Sequence, residues 1–218
     1  MKTVQDYYQN RFPQKEQKQR KAMWKTICSS FLQKYIKRSD SVMDIAAGYC
    51  EFINNIDCRK KYAVDINPDV GKFADKNVEI IATKSINIPQ KFNGKIDVVF
   101  MSNFLEHLSS KEEIILTLEK CHSVLKPRGK IMIMQPNISL IGNDYWNFID
   151  HKMPLNTASA IEALEIAGFK IDYVIEKFLP YTTKSRLSVF SNFLRVYLLI
   201  PHQIRPFAGQ SFFIASKK

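Results

Sequence analysis

Short runs rich in valine and isoleucine alternate along this chain with segments whose apolar residues recur at helical spacing. The runs predict strands at 41–46, 61–66, 78–82, 97–102, 130–135, 169–178 and 210–217. The segments between them predict helices at 14–37, near 50–56 and 69–76, at 111–125 and at 157–167. Because strands that alternate with helices form parallel sheets covered on both faces, the pattern predicts an α/β fold.

The composition excludes several classes of protein. The chain has 218 residues, of which 45% are hydrophobic and 24% charged, as is typical of one globular domain. No run approaches the roughly 20 apolar residues that span a bilayer, and the polar, aromatic beginning of the chain is unlike a signal peptide. The four cysteines form no C-x-x-C pair and have no histidine at zinc-ligand spacing. We therefore expect a cytoplasmic protein with reduced thiols and no metal site.

The net charge of +11 is concentrated at the two ends of the chain. Residues 1–40 carry ten basic and three acidic side chains, and residues 175–218 carry seven and one. Basic flanks favour an anionic partner, such as a phosphate group, nucleic acid or anionic lipid. Surface lysine also confers solubility, so the charge alone does not identify a partner.

The most informative segment is 42–52, with the sequence VMDIAAGYCEF. A predicted strand ends just after Asp44, three small residues follow up to Gly48, and a helix begins near Glu51. Small residues are needed where a backbone approaches a ligand closely. Seventeen positions after Gly48 a second strand ends in Asp65, where an acidic side chain can accept hydrogen bonds from both hydroxyls of a ribose.

This arrangement resembles motif I of class I S-adenosylmethionine-dependent methyltransferases, in which a strand is followed by D-x-G-x-G-x-G and an acid closes the second strand. Ala46 stands at the first glycine position and Cys50 at the third. Segments 97–108 (DVVFMSNFLEHL), 121–137 (CHSVLKPRGKIMIMQPN) and 167–169 (AGF) resemble later motifs of the same family. The resemblance implies S-adenosylmethionine as cofactor. It also implies a Rossmann-like sheet of seven strands, mostly parallel with an antiparallel last strand and helices on both faces.

A nicotinamide-dinucleotide Rossmann domain is the nearest alternative. Its G-x-G-x-x-G pattern would place Glu51 at the third glycine, where an acid at a helix start repels the pyrophosphate. The sulfonium cofactor carries no phosphate, so the sequence favours the methyltransferase. A degenerate fold that acts as a binding or scaffold module is a further alternative. A nucleic-acid methyltransferase is disfavoured, because no N-P-P-[YF] signature follows the fourth predicted strand.

The resemblance also implies a set of cofactor-binding residues at the strand ends. The methionine side of the pocket would be formed by Asp44, Ala46, Gly48 and Phe52, with Ala47 in the same loop. The ribose would be bound by Asp65, the adenine would be flanked by Ile66 and Asn67, and Asn103 would lie beside the cofactor. For Asp65 the alternative role is that of a helix N-cap before Pro68.

Three residues are candidates for a general base, which assists methyl transfer to a hydroxyl but is not needed for an unprotonated amine. They are His107, near the exit of the fourth strand, and Asp150 and His151, in the loop after the fifth. In this fold that loop usually admits the acceptor. Each histidine could instead make a structural hydrogen bond. We expect O-methylation of a small-molecule or glycan-type acceptor, and its identity stays open.

We divide the chain into an N-terminal helical lid (1–40), a cofactor-binding core (41–178), an insertion (179–209) and the last strand (210–218). A helical wheel of 188–200 places its polar residues within about 100°. The segment 186–205 is therefore expected to be buried in the protein or in a homodimer, or to lie on the inner face of an anionic membrane. The tail of the chain resembles methyltransferases associated with bacterial cell-surface glycan assembly, which would suit a sugar or lipid-linked acceptor.

Overall fold

The computed structural model describes residues 14–181 and 191–218. Its strands are β1 (Ser41–Ile45), β2 (Lys60–Asp65), β3 (Val78–Ala82), β4 (Ile96–Ser102), β5 (Leu125–Pro136), β6 (Phe169–Pro180) and β7 (Ala208–Lys217). In the described part of the chain they form one sheet in the order β3-β2-β1-β4-β5-β7-β6. Neighbouring strands are parallel except at β7, which runs antiparallel to both β5 and β6. The predicted Rossmann-like sheet with an antiparallel last strand is confirmed.

The α-helices are α1 (Gln14–Ser30), α2 (Glu51–Asn55), α3 (Lys111–Val124), α4 (Ile138–Ile141), α5 (Thr157–Ile166) and α6 (Ser191–Leu199). Short 3₁₀ turns lie at Leu32–Tyr35, Pro68–Lys72, Ser85–Asn87, Gln90–Phe92, Leu105–His107, Gly142–Asn147 and His202–Ile204. Side chains define where two of the helices begin. The Ser110 hydroxyl accepts a hydrogen bond from the Glu113 backbone N–H, and Asn156 with Ser159 forms a capping box at α5.

Apolar side chains alternate between the two faces of the sheet, so each face has its own core. Val42 and Phe100 point to the face covered by α1, α2 and α6, which includes Trp24. Met43 and Val99 point to the face covered by α3 and α5. The prediction of helices on both faces follows from this alternation and is confirmed.

The helix predicted near 69–76 is wrong. The chain instead makes the 3₁₀ turn at Pro68–Lys72, in which the Asn67 side chain accepts a hydrogen bond from the Asp69 backbone N–H. Only Val70 is buried within this turn. The segment therefore has no apolar stripe that would stabilise a longer helix through packing.

The two segments set apart as lid and insertion both contribute to the core where they are described. Trp24 of α1 meets the ring of Phe100 edge-on, with centroids 6.1 Å apart. Leu194 and Tyr197 of α6 are buried in the same cluster. The division of the chain into lid, core, insertion and last strand stays a proposal. No described helix is both long enough and apolar enough to cross a bilayer.

Candidate active site

The loop after β1 has a backbone shape that usually requires glycine. Ala46, Gly48 and Cys50 all have positive φ, at 56°, 53° and 57°. A side chain in this left-handed region costs about 1–2 kcal/mol, which glycine avoids. These are the three positions at which the methyltransferase pattern carries glycine. The chain therefore keeps the shape of the glycine-rich turn with two of its three glycines replaced.

Asp65 links this loop to the end of β2. One carboxylate oxygen accepts a hydrogen bond from the Gly48 N–H at 2.8 Å, and the other accepts one from the Asn67 N–H at 2.8 Å. Each oxygen keeps a further lone pair, so the carboxylate is oriented and can still accept from ribose hydroxyls. The 3₁₀ turn that follows is capped by the Asn67 side chain. The helix-cap role considered for Asp65 therefore belongs to Asn67.

Asp44 lies beneath the loop and is almost fully buried. Burial, reinforced by the charge of Asp65, holds the pKa of the Asp44 carboxyl well above its usual range, although a hydrogen bond from the Ile53 backbone opposes the shift. Phe52 is also buried, and its ring stacks on Phe100 with centroids 3.7 Å apart. Both residues are buried against the loop, and their proposed part in forming the methionine side of the pocket stays a prediction.

The other predicted cofactor residues lie at the carboxyl ends of β2 and β4, the two strands that flank β1. Ile66 follows Asp65 and is 57% exposed, an unusual position for an isoleucine and a suitable one for packing against a base. Asn103 follows β4 in a left-handed conformation, with φ of 48°. Its N–H donates to the Met134 carbonyl, and its side-chain oxygen accepts from Gln210 at 3.3 Å. Nothing in the sequence indicated that Gln210 would lie here, because the contact joins distant segments.

An ion pair closes the other side of the cofactor loop. The guanidinium of Arg20, from α1, donates to both carboxylate oxygens of Glu51 at the start of α2. It also lies 5.7 Å from the centroid of the Tyr49 ring. A two-point pair of this kind is geometrically specific. It ties the first helix of the described chain to the loop.

The three candidate bases come together, although His107 lies more than forty positions before Asp150 and His151 in the sequence. His107 Nδ1 is 3.2 Å from the backbone oxygen of Asp150 and 3.4 Å from its carboxylate Oδ2. The rings of His107 and His151 have centroids 5.1 Å apart. A proton on Nδ1 facing Asp150 leaves the lone pair on Nε2, which is the tautomer needed to accept a proton.

Aromatic side chains surround the second histidine. The His151 ring lies 4.7 Å from Tyr145 and 5.1 Å from Phe148, between ring centroids. The Tyr181 hydroxyl is 3.5 Å from His151 Nδ1. The aromatic stretch after β5 is visible in the sequence, but the approach of Tyr181, which directly follows β6, is not. The arrangement provides an aromatic wall beside two imidazoles.

The cluster also contains an acid that the sequence analysis did not select. Glu106, next to His107, is buried at 3% exposure. Its backbone carbonyl accepts hydrogen bonds from the N–H groups of Lys152 and Met153, which joins the turn after β4 to the loop after β5. Burial, with the nearby charge of Glu106, raises the pKa of the Tyr145 hydroxyl. In the sequence, only the position of Glu106 next to His107 could have indicated that it belongs to the cluster.

Comparison with known proteins agrees with this geometry. A profile of the methyltransferase domain matches residues 16–174. The fold is similar to a SAM-dependent methyltransferase from Archaeoglobus fulgidus, with 25% identity, a TM-score of 0.62, and coverage of 90% of this chain and 94% of that one. No curated protein sequence matches the chain significantly.

Two further solved structures support the fold. One is a methyltransferase from Thermotoga maritima described as a possible histamine N-methyltransferase, at 16% identity, TM-score 0.67 and 91% coverage of both chains. The other is an S-adenosylmethionine-dependent methyltransferase from Mesorhizobium loti, at 12% identity, TM-score 0.61, and coverage of 85% and 95%. With most of its length matched by the family profile, the chain belongs to the methyltransferase-domain family and is an S-adenosylmethionine-dependent methyltransferase.

Proposed function

We propose that the protein methylates a hydroxyl group on a small-molecule or glycan-type acceptor. The observation that carries this proposal is the pairing of His107 with Asp150 beside His151. When bound, S-adenosylmethionine supplies a methyl carbon that its sulfonium already activates for displacement. The chain must then orient the acceptor oxygen and take its proton. An amine acceptor would need no such group.

His107 is the base that we propose, and Asp150 is its positioning residue. The Asp150 carboxylate and backbone oxygens both face His107 Nδ1. They favour the tautomer whose Nε2 accepts a proton, and they stabilise the imidazolium that forms. His151 offers a second imidazole in the same cluster.

The surrounding side chains favour an acceptor with a flat or apolar face. Tyr145, Phe148 and Tyr181 lie around His151, and the Trp146 ring next to them is largely exposed. Aromatic rings bind planar molecules and the apolar faces of sugar rings, while a few polar groups fix the orientation. This setting supports a small molecule or a glycan as the acceptor.

The acceptor class can be tested with S-adenosylmethionine that carries a deuterated methyl group. The purified protein is incubated with this cofactor and with fractions of cell extract, and labelled products are located by mass spectrometry. We expect the label on oxygen of a metabolite or glycan, and much less label with Asp65→Ala at limiting cofactor. Label on nitrogen or in nucleic acid would contradict the proposal.

We propose further that the outer face of α6 attaches the protein to an anionic membrane. Phe193, Val196 and Leu199 recur every third residue and are 58%, 62% and 81% exposed. Exposed apolar groups on one helix face are typical of interfacial contact. The basic charge at both ends of the chain adds attraction to anionic lipid.

The opposite face of α6 belongs to the core, so burial in the protein accounts for that face only. Leu194 and Tyr197 are buried, and the Tyr197 hydroxyl donates to the Pro206 carbonyl. Arg205, at the end of the segment 186–205, does not add to the lipid-facing charge, because its side chain is buried and donates to the carbonyls of Leu198 and Phe178.

Replacing Phe193, Val196 and Leu199 together with serine is expected to abolish co-sedimentation with anionic vesicles. Fully burying one large apolar side chain contributes about 1.5–3 kcal/mol, so the loss of three should weaken attachment by well over about 100-fold. The melting temperature should change little, since these side chains lie outside the core.

The matched control replaces two exposed apolar residues elsewhere with serine. They are Leu116 on α3 and Ile166 on α5, which are 53% and 62% exposed. This variant should sediment with vesicles like the parent. Equal vesicle binding by parent and triple variant would defeat the membrane proposal. A parent that is dimeric and a triple variant that is monomeric would assign the face to a homodimer instead.

A further inference from the structure

Glu106, His107 and His151 form a compact set of metal-ligand atoms. One carboxylate oxygen and two imidazole nitrogens all lie within 4.8 Å of one another. Glu106 and His151 are largely buried, at 3% and 8% exposure. Two imidazoles with one carboxylate are a donor set that first-row divalent metals prefer and that catalytic zinc sites use. We propose that this cluster binds one divalent transition-metal ion, for which Zn²⁺ is the probe.

The backbone already holds the three ligands together. Glu106 and His107 are adjacent in the 3₁₀ turn after β4, and His151 comes from the loop after β5. The N–H groups of Lys152 and Met153 donate to the Glu106 carbonyl at 2.8 and 3.1 Å, which joins the two segments beside the ligands. In a tetrahedral site, ligand atoms about 2.0–2.2 Å from the ion lie roughly 3.3–3.6 Å from one another, so binding requires a contraction of roughly 1 Å at the widest pair.

Both histidines have hydrogen-bond partners for the ring nitrogen that would not bind the ion. Such an imidazole usually donates its second N–H to a carboxylate or a carbonyl, which fixes its tautomer. Asp150 offers both to His107 Nδ1, at 3.4 and 3.2 Å. The Tyr181 hydroxyl lies 3.5 Å from Nδ1 of His151. Both contacts would leave Nε2 as the nitrogen that faces the ion.

Three protein ligands leave a coordination position open, as in catalytic zinc sites. An acceptor hydroxyl in that position would be oriented, and its pKa would fall. This role rests on the proposed O-methylation. With the ion bound, His107 Nε2 would be coordinated, so the ion would take the place of His107 in activating the hydroxyl and the proton would pass to water. Binding of the ion itself rests on neither role. The expectation of no metal site rested on the four cysteines and on histidines spaced from them as zinc ligands would be. The three ligands proposed here include no cysteine.

The experiment is a calorimetric titration of chelator-treated protein with Zn²⁺, without cofactor or acceptor. We expect one ion per chain, and Co²⁺ absorption without thiolate charge-transfer bands. Asp150→Asn, which changes a residue that hydrogen-bonds to a ligand, should weaken zinc binding by about 10–100-fold. Glu106→Gln and His151→Gln change ligands themselves and should weaken it by more than that. His202→Gln and Cys58→Ser serve as controls and should bind like the parent.

Unchanged zinc affinity in all three cluster variants, or loss of binding in Cys58→Ser, would overturn the metal site. If a ligand variant melts before titration, Asp150→Asn decides the test, because the Asp150 side chain is 31% exposed and its replacement leaves the core unchanged. A parent that binds zinc but methylates nitrogen contradicts only the proposed function. A parent that methylates oxygen at the same rate with a chelator present and binds no zinc contradicts only the metal site.

Discussion

Replacing His107 with glutamine is expected to lower turnover of the labelled acceptor by about 10²–10⁴-fold. Glutamine keeps a polar side chain near Asp150 but has no basic nitrogen to take the proton of the acceptor. Affinity for S-adenosylhomocysteine should stay nearly constant, because His107 is separate from the Gly48–Asp65 contact that organises the cofactor loop. Turnover is measured as S-adenosylhomocysteine released, and affinity by calorimetry.

The matched control is His202→Gln, the same change at a histidine in a separate 3₁₀ turn, which should keep the turnover of the parent. Asp150→Asn and His151→Gln complete the series. If all three cluster variants kept full turnover, the acceptor would be an amine or positioning alone would carry the rate. Either outcome would contradict the base assignment.

The second large effect is expected at Asp65. Asp65→Ala should weaken binding of S-adenosylmethionine and of its demethylated product, because charge-assisted hydrogen bonds to the ribose are lost. Such bonds contribute on the order of 1.5–3 kcal/mol, which corresponds to roughly 10–150-fold in affinity. The variant also removes the acceptor of the Gly48 N–H, so the loop loses one of its anchors.

Asp65→Asn separates these two contributions. Its side-chain oxygen can still accept from Gly48, while the negative charge facing the ribose is gone. We expect an affinity between those of the parent and Asp65→Ala. Asp75→Ala, which removes an exposed carboxylate farther along the same segment, should bind like the parent. Unchanged affinity in Asp65→Ala would contradict the ribose assignment.

Much of the fold could be predicted from local pattern. The strand predicted at 78–82 is observed at Val78–Ala82, and the one predicted at 97–102 at Ile96–Ser102. Buried parallel strands are nearly continuous apolar runs, which are easy to recognise. The helix prediction for 69–76 was wrong because short polar turns depend on local hydrogen bonds such as that of Asn67. The periodicity of apolar residues does not indicate such bonds.

The placement of candidate residues at the edge of the sheet was predictable where a residue ends a strand or directly follows one. Asp65 and Asn103 were selected in this way, because parallel strands end at one edge of the sheet. Side-chain orientation was not predictable: Phe52 stacks on Phe100 in the core. The contact of Gln210 with Asn103 and the joining of Glu106 to the loop after β5 arise from tertiary packing. No sequence spacing indicates such contacts.

The central claim is that the loop at Ala46–Cys50 and the carboxylate of Asp65 bind S-adenosylmethionine. Its most direct test is a calorimetric titration of the unmodified protein with S-adenosylmethionine, S-adenosylhomocysteine and, for comparison, a nicotinamide dinucleotide. We predict one-to-one binding of the first two and none of the dinucleotide, whose pyrophosphate would meet the acidic side chain of Glu51 at the start of α2. Absence of S-adenosylmethionine binding, or tighter binding of the dinucleotide, would contradict the account.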